Sequence, residues 1–301
     1  MKYKFENVNC NLCGAEDSEL ISTKGKFKLP VNVVICRKCG LSFLNPRWTK
    51  DSYLFFYQND YDKYYRPNLI ENHAAKTDNH IINRLRSVNA LPSSIENILE
   101  IGSGEGLNLY SFKEVFKDLK MFAIEPSYSS QQLLRSKGVN VICEDVDLEW
   151  ELPYKDKFDV VIMRHVLEHF MDPKNAMNKI RSTLTENGLL YIAVPNSLKI
   201  YHDLEKHWFR NVHTYYFNKF SLTSLMKICG FRILGLTEGD QYNKAEIYLV
   251  VQKAGKEPPS FSASHFNLQK EVYQKALRRD GNIILKVLTL LKNRLASLLN
   301  I

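Results

Sequence analysis

The chain has 301 residues, of which 45% are hydrophobic and 25% charged, with a formal net charge of +8. This size and balance suit one large α/β domain with additions, or two domains, and exclude collagen-like, rod-like and wholly disordered classes. No run of eighteen apolar residues occurs, so no helix is expected to cross a bilayer.

Met1 to Asn7 hold no apolar segment of signal-peptide length, and the expectation is a cytoplasmic protein. Basic residues gather at the two ends. Residues 1–50 carry nine Lys/Arg against four Asp/Glu, residues 253–301 carry nine against three, and the span between is slightly acidic. A nucleic-acid enzyme carries its basic surface where the chemistry happens, so this distribution counts against a nucleic-acid partner.

Residues 1–50 hold two pairs of cysteines, Cys10-x-x-Cys13-Gly14 and Cys36-x-x-Cys39-Gly40, separated by 22 residues. Two residues between ligands let one tight turn present both sulfurs to a tetrahedral ion, and the following Gly permits the positive φ the turn needs. Cys10, Cys13, Cys36 and Cys39 are therefore the candidate ligands of a structural Zn²⁺ in a small ribbon. With four protein ligands such an ion has no open position for catalysis. Cys143 and Cys229 stand alone in apolar surroundings and are expected to be core residues.

Residues 51–94 form an aromatic connector and a helical cap. Tyr53, Leu54, Phe55, Phe56, Tyr57, Tyr61, Tyr64 and Tyr65 come first; they suit either a lid or plain packing. Ile81, Ile82, Leu85 and Val88 then recur at helical spacing within 71–90. From 95 to 254 apolar runs alternate with helical stretches, which predicts a Rossmann-like parallel sheet with helices on both faces. The predicted strands are Asn97–Ile101, Lys120–Glu125, Val139–Cys143, Phe158–Met163, Gly188–Val194, Phe231–Thr237 and Glu246–Val251. An insert rich in His and aromatics, Pro195 to Phe220, separates the fifth and sixth. Residues 255–301 read as a Pro-Pro linker and an amphipathic helical tail, whose stripe runs from Ile284 to Leu298. That stripe suits self-association, packing on its own chain, or peripheral contact with an anionic membrane.

The most informative segment is Leu99-Glu100-Ile101-Gly102-Ser103-Gly104-Glu105-Gly106. Alternating glycines let the backbone turn sharply and approach a ligand at a helix N-terminus. A dinucleotide fingerprint would need Gly at 107, where the chain has Leu107. Glu100, inside the strand end, suits a cationic amine and repels a pyrophosphate. Glu125 closes the second strand, placed to accept hydrogen bonds from ribose hydroxyls.

This order of strand, acid, glycine turn, helix, strand and acid resembles the class I S-adenosylmethionine-dependent methyltransferases. Cys143-Glu144-Asp145-Val146, Phe158 to His169 with Asp172-Pro173, and Asn187 to Asn196 resemble three further segments of that family. The cysteine pairs with Gly40 to Pro46 resemble the ribbon fused to a subgroup tied to sugar and surface-polysaccharide biosynthesis. The resemblance spans residues 8–252 and implies a seven-stranded sheet whose last strand is antiparallel. It implies that Glu100, Gly102, Ser103, Gly104 and Gly106 hold the methionine end of S-adenosyl-L-methionine, Glu125 the ribose, and Asp145 and Val146 the adenine. His165 would lie beside the sulfonium and the acceptor. The usual Cys or Thr of the first motif is Ser103 here, a mild change.

His165-Val166-Leu167-Glu168-His169 also spells a zinc-peptidase signature, which requires both histidines on one helical face. Following a buried strand, the motif fits that role poorly. His169 suits either a helix-capping role or the base that accepts the acceptor's proton. In the insert, His213 and Tyr216 could position or deprotonate an acceptor hydroxyl, or merely cover the sheet edge. The expected enzyme is a methyltransferase acting on a small-molecule or glycan-precursor hydroxyl. An RNA methyltransferase gripping RNA through the basic ribbon, and a non-catalytic scaffold of the same fold, are the alternatives.

Overall fold

Seven apolar stretches of the chain form one mixed sheet in a computed structural model that describes residues 3–65 and 79–281. They are β1 (Asn97–Ile101), β2 (Lys120–Ile124), β3 (Asn140–Cys143), β4 (Phe158–Arg164), β5 (Leu184–Pro195), β6 (Phe231–Glu238) and β7 (Glu246–Lys253). Their order in space is β6-β7-β5-β4-β1-β2-β3. β7 runs antiparallel to both neighbours, as the resemblance implies, and the remaining pairs are parallel. Every residue of β1 is buried, the pattern of a parallel strand covered on both faces.

β5 begins four residues earlier than its apolar run suggests, because Leu184 pairs with Phe158 before a bulge carries the register to Leu189. Gly188 sits in that bulge, where a Cβ would lie 2.8 Å from the Phe158 carbonyl oxygen.

Helices α1 (His80–Ser87), α2 (Leu107–Val115), α3 (Tyr128–Ser136) and α4 (Pro173–Thr183) accompany the sheet. Ile81, Ile82 and Leu85 of α1 and Leu109 and Phe112 of α2 pack with Ile98, Ile162, Tyr191 and Val250 of the strands. Residues 71–78 of the helix predicted over 71–90 lie outside the described residues. The chain leaves β1 toward β2 on one side and later enters β4 and β5 on the other. The carboxyl ends of β1 and β4 therefore flank the point where the winding reverses, the place such sheets reserve for ligands.

The seven-stranded sheet belongs to one compact unit, Ile70–Pro195 with Leu222–Ser260. A second unit unites Met1–Leu69, Asn196–Ser221 and Phe261–Ile301. Its four-stranded sheet draws Ser18–Lys24, Pro30–Cys36 and Ser42–Leu44 from the N-terminal segment and Tyr215–Tyr216 from the insert. Tyr215 pairs with Phe43 and Tyr216 with Ser42. A helix, Ala263–Gly281, buries Phe266, Gln269, Tyr273 and Ala276, and Phe266, Tyr273 and Ala276 join Val33, Ile35 and Phe209 in this unit's core. Gln269 accepts from Ser197 Oγ and Asn218 Nδ2, both at 2.8 Å, and Arg279 donates to the carbonyls of Ile200 and His202. The described part of the tail thus packs on its own chain; the stripe over 284–298 lies outside the described residues. Among the described residues no helix is long and apolar enough to cross a membrane.

Candidate functional site

The glycine turn after β1 adopts left-handed backbone at all three glycines, with φ of +70° at Gly102, +54° at Gly104 and +80° at Gly106. Two of them are packed: a Cβ on Gly102 would lie 2.5 Å from Val166, and one on Gly106 2.7 Å from Leu134. Gly104 faces open space within 4 Å. It is the point where a ligand can touch the backbone. The Gly104 N–H donates to Glu125 Oε2 at 2.7 Å, and Ser127 N–H donates to Glu125 Oε1 at 2.9 Å. Glu125, expected at the ribose, thus ties the glycine turn to the end of β2.

A cavity of about 430 Å³ opens beside this turn, lined by Glu100, Ser103, Gly104, Asn108, Arg164 and His80 among others. Glu100 is buried; its Oε1 accepts from Asn108 Nδ2 at 2.6 Å, while its Oε2 has no hydrogen-bond partner. Ser103 Oγ is likewise buried and unpartnered. Burial, reinforced by the Glu125 charge, pushes the Glu100 carboxyl up to about 8, although Asn108 and Arg164 pull the other way. A polar atom orphaned in a cavity wall awaits a ligand donor or water. Asp145 and Val146, expected at the adenine, do not line this cavity. Val146 is buried, its carbonyl accepting from Trp150 Nε1.

His165 follows β4 with φ of +54°, a conformation uncommon outside glycine. Its N–H donates to the Ala193 carbonyl at 2.8 Å, and its Nε2 lies 2.8 Å from Oε2 of the fully buried Glu246. Arg84, itself buried, donates to Glu246, to Tyr191 and in bidentate fashion to Asp240. Burial would lower the His165 pKa, but Glu168 and Glu246 outweigh it and raise it to about 9. His165 is therefore a cation at neutral pH. A protonated imidazole has no lone pair to offer, so in this state His165 would not accept a proton. The peptidase reading fails on local geometry: Leu167–His169 form one 3₁₀ turn, and His165 precedes it in left-handed backbone. His169 is partly buried at the end of that turn.

His213 and Tyr216 belong to the other unit. The Tyr216 phenol is buried, donating to the Arg210 carbonyl and accepting the Arg210 N–H at 2.9 Å. Burial raises its pKa well above the phenolic range. It ties the Arg210 backbone to the Tyr215–Tyr216 strand. His213 is also buried.

In the same unit the cysteine pairs form two like turns. Gly14 N–H donates to the Cys10 carbonyl at 2.8 Å and Gly40 N–H to the Cys36 carbonyl at 2.9 Å, both glycines having positive φ. The sulfurs of Cys10, Cys13, Cys36 and Cys39 all lie within 4.8 Å of one another, with Cys10···Cys39 at 3.5 Å and Cys13···Cys36 at 3.4 Å. A tetrahedron of thiolates ~2.3 Å from an ion has edges of about 3.8 Å, close to this spacing.

A family profile described as a methyltransferase domain matches residues 61–236, more than half of the chain. The chain belongs to the methyltransferase-domain family. C-methyltransferase NovU of Streptomyces niveus is 22% identical over 233 residues, covering 76% of this chain and 52% of that protein. The chain thus spans about half the length of that curated relative. A S-adenosylmethionine-dependent methyltransferase of Clostridium acetobutylicum superimposes with a TM-score of 0.47 at 16% identity, over 67% of this chain and 99% of its own. Another from Aquifex aeolicus gives 0.46 at 14%, over 58% and 90%.

S-adenosylmethionine, the donor this family implies, carries a cationic amine, and the cavity meets it with an orphaned buried carboxyl and an open glycine. The residues fit. Sequence reasoning missed Asn108, Arg164 and His80 in the cavity wall, and Arg84 and Glu246 behind His165. Strand periodicity says which residues share a face, but nothing in it reveals which strands become neighbours.

Proposed function

We propose that this chain transfers a methyl group from S-adenosylmethionine to a polar acceptor, a hydroxyl of a sugar, nucleotide sugar or surface-polysaccharide precursor. The observation that carries the cofactor half is the unpartnered Oε2 of Glu100 in the cavity beside Gly104. The acceptor half rests on the cysteine-bearing N-terminal segment and its likeness to the sugar-biosynthesis subgroup. The curated relative's name speaks for carbon as the receiving atom, which makes C-methylation the second reading. The four cysteines would hold a structural Zn²⁺, because four sulfurs at this spacing make a closed tetrahedral ligand set.

Bound S-adenosylmethionine supplies a methyl already activated by a sulfonium, so the chain's task is alignment and proton removal. Glu100 would take the amine, losing its own proton as the cation arrives. Ser103 and the open face of Gly104 would receive the neighbouring atoms, and Glu125 would offer its remaining lone pairs to the ribose. His165, held as a cation by Glu246, would keep its proton. Either acceptor atom must shed a proton, and His169 and His213 are the remaining imidazoles proposed for it. A screen of nucleotide sugars with methyl-labelled donor, followed on wild type, His169→Ala and His213→Ala, tests this. At least one variant should lose ~10²–10⁴-fold in turnover while still binding S-adenosylhomocysteine. No labelled product from any glycan precursor would sink the acceptor reading.

A further inference from the structure

Arg164 closes β4 on the same side of the sheet as Glu100. Glu100 pairs with Ile162, and Arg164 lies two residues beyond, so all three side chains share one face. Strand spacing and rise put the backbones of Glu100 and Arg164 about 8 Å apart. The residue opposite Arg164 on β5 is Ala193, a small side chain. Both Glu100 and Arg164 line the cavity.

Arg164 has hydrogen-bonding capacity to spare. Its nearest carboxylate, Glu246, stands at 3.6 Å from Nε, beyond hydrogen-bond reach, and is already engaged by Arg84 and His165. Arg164 Nε is buried with no hydrogen-bond partner, and its side chain is 38% exposed. One cavity is thus lined by Glu100, with an unsatisfied acceptor, and by the guanidinium of Arg164, for which no hydrogen bond satisfies Nε. Glu105, on the rim, is exposed, where solvent screens its charge.

We propose that Glu100 and Arg164 together read a zwitterion, Glu100 taking the ammonium and Arg164 the carboxylate of the cofactor's amino-acid end. The inference rests on the cofactor reading above and adds to it a residue that selects for the carboxylate. A guanidinium fork matches a carboxylate in geometry as well as charge, which a lysine ammonium does not.

The test is a thermodynamic cycle by calorimetry. S-adenosylmethionine and its decarboxylated analogue are titrated into wild-type protein, Arg164→Met and Arg164→Lys. Wild type should prefer the carboxylated ligand by roughly ten- to a hundredfold, Arg164→Met should bind the two alike, and Arg164→Lys should fall between. 5′-Methylthioadenosine, which lacks the whole amino-acid end, should bind wild type and Arg164→Met equally. A preference that survives in Arg164→Met, or is missing from wild type, overturns the inference. So does an equal loss of 5′-methylthioadenosine binding, which would make Arg164 a structural residue. Wild-type protein that binds none of the three ligands refutes the cofactor reading itself, and this inference with it.

Discussion

The cysteine cluster and the glycine cavity are both built from glycine turns with left-handed backbone, yet they treat their polar groups in opposite ways. At Gly14 and Gly40 each turn closes on itself, the glycine N–H returning to the carbonyl of the first cysteine. At Gly104 the N–H is held by a side chain, Glu125, while Glu100 and Ser103 beside it keep unpartnered oxygens. A site built for folding satisfies its backbone locally. A site built for binding leaves groups short, at a desolvation penalty of ~1–3 kcal/mol for each.

The strongest challenge to this contrast is Cys36→Ser. If the cysteine cluster holds its part of the chain together through Zn²⁺, the variant should lose its metal and expose residues 5–48 to rapid amide exchange. Elemental analysis should find one zinc per wild-type chain; retention of zinc, or unchanged exchange, would dissolve the comparison. Binding to structural zinc sites contributes on the order of 10 kcal/mol in small domains, so the effect should be large.

Next comes the buried network that flanks the cavity. Arg84→Ala removes the guanidinium shared by Asp240 and the fully buried Glu246, leaving His165 and the more distant Arg164 as the cations near Glu246. A loss of about 3–5 kcal/mol in unfolding free energy is expected from denaturant titration. A loss below 1 kcal/mol would show that water or His165 compensates fully.

Gly104→Val separates binding from folding. Nothing lies within 4 Å of the added Cβ, so the packing penalty is small and the φ of +54° contributes only ~1–2 kcal/mol of strain. The thermal shift produced by S-adenosylhomocysteine should nonetheless vanish, because the branched side chain fills the open approach. Undiminished binding would remove the glycine turn from the site.

The last effect is in pH. The Glu100 pKa is raised to about 8, above its unfolded value, so the unfolded chain releases this proton first as pH rises. Its contribution to stability is fully present below about pH 4, declines as pH rises and is lost through pH 8. His165, raised to about 9, contributes in the same sense between about pH 6.5 and 9. Glu100→Gln should flatten the first decline in the ligand-free protein. Calorimetry of S-adenosylhomocysteine binding at pH 7, repeated in buffers of different ionisation enthalpy, should register release of close to one proton. No proton release would mean that Glu100 does not meet the ammonium.

Local pattern was enough for the strands, since a buried parallel strand must be apolar on both faces; Asn97–Ile101 appears where its run of Ile and Leu lies. The acid-and-glycine signature and the C-x-x-C-G spacing are equally legible, because tight turns demand particular residues at particular offsets. What sequence could not tell was which distant segments meet. Tyr215–Tyr216 completes a sheet begun by Ser18–Lys24, and Glu246 on β7 meets His165 at the exit of β4. These pairings follow from burial shared across the chain, and burial is a property of the assembled fold. The same holds for the charge state of Glu100: its position at the strand end is sequence, but its protonation belongs to the closed cavity wall that removes it from water.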